Sequence, residues 1–277
     1  MQIETLLLPV ALIQTKDVLI PTAIFAAMGI LFGILLAVAA RIFAVKVDER
    51  LPVVTENLPG ANCGGCGYSG CAALADAIVK GEASPSACRA CSAEGLKNIA
   101  SVMGLEELEH VPSRAHVMCS GNCHTAVYKY RYEGAVDCIA ADRMGGGDKA
   151  CPNGCIGLGT CVAACKYDAI HIKDGVAVVD PAKCSGCGAC VNVCPKALIS
   201  VIPISSKYTV ACHSKEKGAI TRKNCAVGCI ACHICEKNCP VGAITVTDFV
   251  ATIDQSKCIG CGLCAEKCPR KIIKPCR

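Results

Sequence analysis

The chain has 277 residues, of which 27 are Cys and none is Trp, and a formal charge of +5. Such cysteine density suits a small secreted disulfide scaffold, but this chain is too long for that class, and an odd 27 leaves a thiol over. A hydrophobic content of 53% with mean hydropathy +0.45 excludes intrinsic disorder. No long basic run supports a nucleic-acid partner. Aromatics at 4% leave no large aromatic core, so metal coordination is expected to order much of the chain.

Residues 1–17 form a short N-terminal segment. Its apolar stretch Leu6 to Ile13 contains Pro9 and is too short to span a bilayer. Val18 to Ala40 carries no charge and has the length of a transmembrane helix. Ala37-Val38-Ala39 resembles a signal cleavage site, but the start lacks a basic region and the apolar run is too long. Gly29, Gly33 and Ala37 share a face that would admit a partner helix, or are incidental small residues facing lipid. Lys16 precedes the run, and Arg41, Lys46 and Arg50 follow it. This bias predicts a single-pass protein of the cell (inner) membrane with its long C-terminal part in the cytoplasm. Thiols stay reduced there, which argues for metal sites. Residues 41–57 read as a linker.

Residues 58–115 read as a small four-Cys domain, Cys63-x2-Cys66-x4-Cys71-x16-Cys88. Gly64, Gly65, Gly67 and Gly70 let the backbone curl around a cofactor, and Ala72 to Lys80 reads as a helix returning toward Cys88. The expected occupant is a [4Fe–4S] cluster, with structural zinc as the bland alternative and Cys91 as a substitute for Cys88.

Three runs follow, each with the bacterial ferredoxin spacing and a trailing Pro. They are Cys184, Cys187, Cys190, Cys194; Cys229, Cys232, Cys235, Cys239; and Cys258, Cys261, Cys264, Cys268. Zinc sites usually use two CxxC pairs with a longer spacer. A shift of 74 residues superimposes Cys138 on Cys212, Cys151 on Cys225 and Cys155 on Cys229, and continues through Cys194 on Cys268. Two tandem ferredoxin-like modules are therefore expected, 116–203 and 204–277. The fold class is α+β: one transmembrane helix, a four-Cys domain and two two-cluster modules.

Leu158 stands where the second copy has Cys232, and Cys151 is the expected substitute. With crossed ligation, module 1 holds clusters on Cys151, Cys155, Cys161, Cys194 and on Cys165, Cys184, Cys187, Cys190. Module 2 holds them on Cys229, Cys232, Cys235, Cys268 and on Cys239, Cys258, Cys261, Cys264. Each module should return a hairpin strand, at Gly175 to Asp180 and Phe249 to Asp254. Short helices should follow the third cysteines. Five clusters leave Cys119, Cys123, Cys138, Cys212 and Cys225 either for a sixth site or as buried apolar thiols. Cys276 reads as a terminal thiol.

Four Cys ligands leave no iron open to substrate, which suits electron transfer. An oxidised cluster with its thiolates contributes about −2, so the Lys and Arg residues read as compensation for cluster charge. Lys183 and Lys257 are candidate tuning cations, with solvated surface the blander reading. His233 lies inside a cluster run and reads as loop filler or a tuning group. No P-loop or nucleophile–base pair appears, so no catalytic residue is expected.

The order of features, with Leu58-Pro59-Gly60-Ala61-Asn62-Cys63-Gly64-Gly65-Cys66-Gly67-Tyr68-Ser69-Gly70-Cys71, resembles the B subunit of the Rnf complex. The stretch around Asp137-Cys138, Gly146-Gly147 and Lys149-Ala150-Cys151 resembles the longer members from anaerobes. Arg89 and Lys166 stand where Pro is common after a cluster Cys. The resemblance implies an electron-transfer component of an ion-translocating ferredoxin:NAD oxidoreductase, coupled to Na+ or H+. It would take electrons from soluble ferredoxin and relay them to the other subunits, which carry the NAD and flavin sites. The alternatives are a cluster-bearing component of another membrane hydrogenase or reductase, and a membrane-anchored zinc protein for partner recognition.

Overall fold

The computed structural model describes residues 15–43, 48–106 and 110–276. Two units separate near residue 48. The expectations for Leu6 to Ile13 and for Lys46 lie outside the described residues.

The first unit is α1, Thr15–Ile42, 28 residues with Pro21 inside. From Leu19 on, its large apolar side chains are exposed, and space is open around Gly29 and Gly33. Its segment Leu19–Ile42 is long and apolar enough to cross a membrane. The helix overruns the expected 18–40 at both ends, because the backbone ladder does not stop where the charge-free run stops.

The second unit begins with a three-helix core: α2 (Arg50–Asn57), α3 (Cys71–Val79) and α4 (Ala93–Met103). Val54 and Leu58 stand one turn apart and are buried with Leu74, Ile78, Leu96 and Ile99. The stretch 41–57 is therefore not a plain linker; its second half packs into the core of the four-Cys domain. The Ser92 hydroxyl accepts from the Gly95 amide at 3.0 Å and starts α4, and Gly104, at φ 65, ends it.

Two modules follow. β1 (Ser113–Val117) pairs antiparallel with β4 (Ile199–Pro203), and β2 (Ile170–Lys173) with β3 (Val176–Val179). In the second copy β5 (Tyr208–Val210) pairs with β8 (Ile273–Pro275), and β6 (Ile244–Thr247) with β7 (Val250–Ile253). The β2–β3 turn has Asp174 and Gly175 at φ 52 and 73, and the β6–β7 turn has Asp248 and Phe249 at 47 and 61. Both central residues are left-handed, as a two-residue hairpin requires. The return strands β3 and β7 fall inside the ranges read from the sequence. The boundary placed at residue 116 cuts through β1, which belongs wholly to the first module's sheet.

The expected short helices form, but they carry the third cysteines instead of following them. Cys161 lies in α6 (Thr160–Ala163), Cys190 in α7 (Ala189–Asn192), Cys235 in α9 (Ile234–Lys237) and Cys264 in α10 (Leu263–Lys267). Between first strand and first cysteine run, each copy adds one more helix, α5 (Cys138–Arg143) and α8 (Gly218–Asn224). The copies join through backbone bonds, Ala226 N to Thr125 O at 2.7 Å and Val127 N to Asn224 O at 2.9 Å.

The four-Cys domain seats its cysteine loop on module 1. A Cβ on Gly65 would collide with the Cys187 carbonyl oxygen. Gly65→Ala is expected to cost about 1–3 kcal/mol by overpacking. Limited proteolysis checks this: the variant should be cut between the domain and module 1 where the parent resists.

Candidate metal centres

Thiols converge in six groups of four. Cys63, Cys66, Cys71 and Cys88 line one cavity, with Cys71 at the start of α3 and Leu74 of that helix in its wall. Cys165, Cys184 and Cys187 act electrostatically on Cys190, which burial pushes up to about 12. In module 2, Cys229, Cys232, Cys235 and Cys268 line another cavity. Cys239, Cys258 and Cys261 surround Cys264. These four groups contain the residues the sequence reading put together.

Two groups depart from it. Cys138, not Cys151, lines a cavity with Cys155, Cys161 and Cys194. The reason is local. The Asp137 carboxylate caps α5 by accepting from the Ala140 amide at 2.9 Å, and also accepts from the Thr160 hydroxyl at 2.8 Å. The Cys138 amide in turn donates to Thr160 Oγ1 at 2.7 Å. Thr160 opens α6, so this tether carries Cys138 to Cys161 and fills the place that Leu158 leaves empty. The same Thr160 bond holds the Asp137 carboxyl below its usual range.

Cys151 lies elsewhere, lining a small cavity with Cys119, Cys212 and Cys225 at the junction of the copies. Each copy supplies two thiols: one just past its first strand, Cys119 after β1 and Cys212 after β5, and one just before its cysteine run, Cys151 and Cys225. A Cβ on Gly121 would stand 3.3 Å from the Cys225 sulfur and 3.8 Å from that of Cys119, so this glycine leaves room between them. A readable trace existed, since Cys151 and Cys225 were already equivalent in the repeat. Cys123 joins none of these cavities; it lies with His124 and Asp174 at the surface. Cys91 is buried, with its sulfur 3.5 Å from the Asn57 carbonyl, and Cys276 remains outside the groups.

The groups form a row. Cys187 joins the lining of the Cys63 cavity and feels the charge of Cys63, and Cys190 acts on Cys161. The Cys155 amide donates to Cys119 Sγ at 3.5 Å, and the Cys229 amide to Cys212 Sγ at 3.3 Å. Cys235 and Cys264 share the core of module 2.

The donor set fits iron–sulfur clusters. All-thiolate coordination selects Fe–S or zinc, and the turns after the fourth cysteines aim backbone amides at sulfur. Ala169 N donates to Cys165 at 3.4 Å, Leu198 N to Cys194 at 3.4 Å and Ala243 N to Cys239 at 3.2 Å. Burial pushes the Cys161 thiol up to about 12 and Cys88, Cys212 and Cys235 to about 11. Without metal these groups are neutral thiols, so loading must release their protons. Burial also acts upward on Cys239, but the amides of Val241, Ala243, Ile244 and Gly242 outweigh it and hold that thiol below its ordinary value.

The tuning candidates do not reach the sites as charges. Lys183 is half-exposed and paired with Asp168 at 3.0 Å, and Lys257 is exposed and paired with Asp254 at 3.5 Å. His233, in the left-handed region, makes a 2.6 Å bond to Glu236 at the edge of its cavity.

Comparison with known proteins agrees with this layout. An Fe–S cluster family model matches residues 58–90. Models of the 4Fe-4S dicluster domain match residues 153–198 and 228–272, and another matches 183–243 across the junction. The B subunit of the Na(+)-translocating ferredoxin:NAD(+) oxidoreductase complex of Acetobacterium woodii is 46% identical over 87% of this chain and 72% of its own length. The B subunit of the ion-translocating oxidoreductase complex of Methanosarcina acetivorans is 41% identical over 85% and 89%. The B subunit of the proton-translocating ferredoxin:NAD(+) oxidoreductase complex of Clostridium ljungdahlii is 41% identical over 87% and 86%. With an apolar N-terminal helix, an Fe–S domain and two dicluster modules in the same order, the chain is an electron-transfer component and belongs to the B-subunit family of Rnf-type ion-translocating oxidoreductase complexes.

Proposed function

We propose that 24 of the 27 cysteines hold six [4Fe–4S] clusters, one on each thiol group described above. Five follow the ferredoxin-like and four-Cys patterns, with Cys138 in place of Cys151. The sixth sits on Cys119, Cys151, Cys212 and Cys225. When bound, each cluster takes up and gives back one electron with no iron open to substrate. The chain's own residues do the rest. The thiolates bind, and the backbone amides orient them and stabilise their charge.

On this reading the chain accepts electrons from reduced ferredoxin in the cytoplasm. It relays them toward partner subunits that reduce NAD+ and move Na+ or H+. Lys16 before the uncharged run, with Arg41 and Arg50 after it, supports the cytoplasmic side for the cluster-bearing unit. The observation that carries the proposal is the unbroken row of six four-thiol groups, in which every neighbour pair is in contact or shares a core.

Anaerobic purification with iron and sulfide analysis tests it. About 24 irons and as many sulfides per chain are expected for six clusters. About 20 would reject the site at the junction, and zinc without acid-labile sulfide would reject the relay altogether. Reduced ferredoxin should bleach the visible absorbance of the holoprotein; a band it cannot bleach would reject it as donor.

A further inference from the structure

Lys149 is 3% exposed. Burying an ammonium group costs several kcal/mol unless charge compensates it. Its Nζ donates to the Gly121 carbonyl at 2.9 Å and the Gly175 carbonyl at 2.7 Å, and stands 5.9 Å from the centroid of the Tyr128 ring. Among the described residues no carboxylate forms an ion pair with it, Asp148 beside it in the chain included. Carbonyl dipoles and a ring face satisfy its protons without cancelling its charge.

The compensation stands on the other side. Lys149 lines the cavity of Cys119, Cys151, Cys212 and Cys225. It stands within electrostatic reach of Cys225 and of Cys155 in the adjoining group, two thiols that burial nonetheless holds above their ordinary value. Arg270 approaches Cys225 from module 2, Nη2 donating to the Cys225 carbonyl at 2.8 Å and Nε to that of Gly228 at 3.1 Å. No acid among the described residues pairs with Arg270 either.

The repeat makes the asymmetry visible. Lys196 occupies in module 1 the place of Arg270, and Asp142 neutralises it at 2.6 Å. Lys223 occupies in module 2 the place of Lys149, and it is exposed. Of these four equivalent places, the two sheltered from solvent and without a carboxylate partner are Lys149, in the lining of the junction cavity, and Arg270, which lines the neighbouring cavity of Cys229, Cys232, Cys235 and Cys268 and reaches back to the Cys225 carbonyl. A buried charge is poorly screened by salt, and a cation near a cluster favours the state with the extra electron.

We infer that Lys149, backed by Arg270, is a fixed positive charge that raises the reduction potential of the cluster between the two modules and makes it easier to reduce. The inference rests on the proposal that this thiol group holds a cluster. Buried as it is, Lys149 is a positioning and tuning residue.

Redox titration followed by electron paramagnetic resonance, on the anaerobic full-length holoprotein, separates the two ideas. Cys225→Ser identifies the couple, which should vanish with about four irons; an unchanged iron count and unchanged couples would reject the cluster itself. Lys149→Gln keeps a donor for the carbonyls and removes the charge. It should retain the parent's iron and shift that couple to more negative potential, with Lys149→Arg staying near the parent. A couple that stays in place in Lys149→Gln, or moves equally far in Lys149→Arg, overturns the tuning role while leaving the cluster intact. If Lys149→Gln fails to load this site, Arg270→Gln carries the test: a smaller shift of the same sign supports the inference, and none overturns it.

Discussion

Cys225→Ser is expected to strip about four irons from the chain while the other five sites stay loaded. Cys225 is buried, its amide and carbonyl are already engaged by Thr221 and Arg270, and its sulfur faces Gly121. Serine leaves that backbone in place and removes one soft ligand of four. The consequence for electron flow is large because the site lies where the copies meet, with Cys155 on one side and Cys229 on the other. Ferredoxin-driven turnover of the assembled complex should fall by at least the roughly 10–100-fold that loss of even an outer-shell partner costs a metal site. Cys151→Ser should do the same, although Cys151 precedes Cys155 by one turn of chain. Iron analysis with turnover assays decides it: full iron in either variant would contradict the junction site.

Cys194→Ser is expected to empty the site of Cys138, Cys155 and Cys161, not that of Cys184, Cys187 and Cys190, its neighbours in the chain. Cys194 lies across the module, lining the cavity of the former group. Metal binding energy is folding energy in domains of this kind, so the variant should also melt at lower temperature than the parent. Anaerobic alkylation read by peptide mass spectrometry separates the outcomes. Label on Cys138, Cys155 and Cys161 is expected; label on Cys184, Cys187 and Cys190 instead would reject crossed ligation. Label on Cys151 in place of Cys138 would restore the arrangement suggested by the sequence.

Much of the architecture was legible before any coordinates. The uncharged run predicted α1, and the apolar, β-branched stretches around Val176–Val179 and Val250–Ile253, each following a short apolar stretch, predicted the return strands. The second half of 41–57 was less legible. Its charged and polar residues read as a linker, yet Leu51, Val54 and Leu58 recur at helical spacing, and only α3 and α4 give that stripe something to cover. Lys149 was passed over for Lys183 and Lys257, which are nearer to cysteines in sequence. Burial is a property of packing, and no spacing rule reports it.

The order of cysteines determined by itself that this is a relay of thiolate-bound clusters, because ferredoxin spacing leaves little choice of metal chemistry. It also determined the crossed pairing expected within each module, because a four-residue reach past the loop suits a neighbouring site. Only the tertiary structure decided which of Cys138 and Cys151 goes where. Those two thiols are separated from their groups by loops whose course depends on the Asp137–Thr160 tether and on the junction of the copies. A site built half from each module has no contiguous pattern in one dimension; it exists once the two strands β1 and β5 set Cys119 and Cys212 on the same side of that junction.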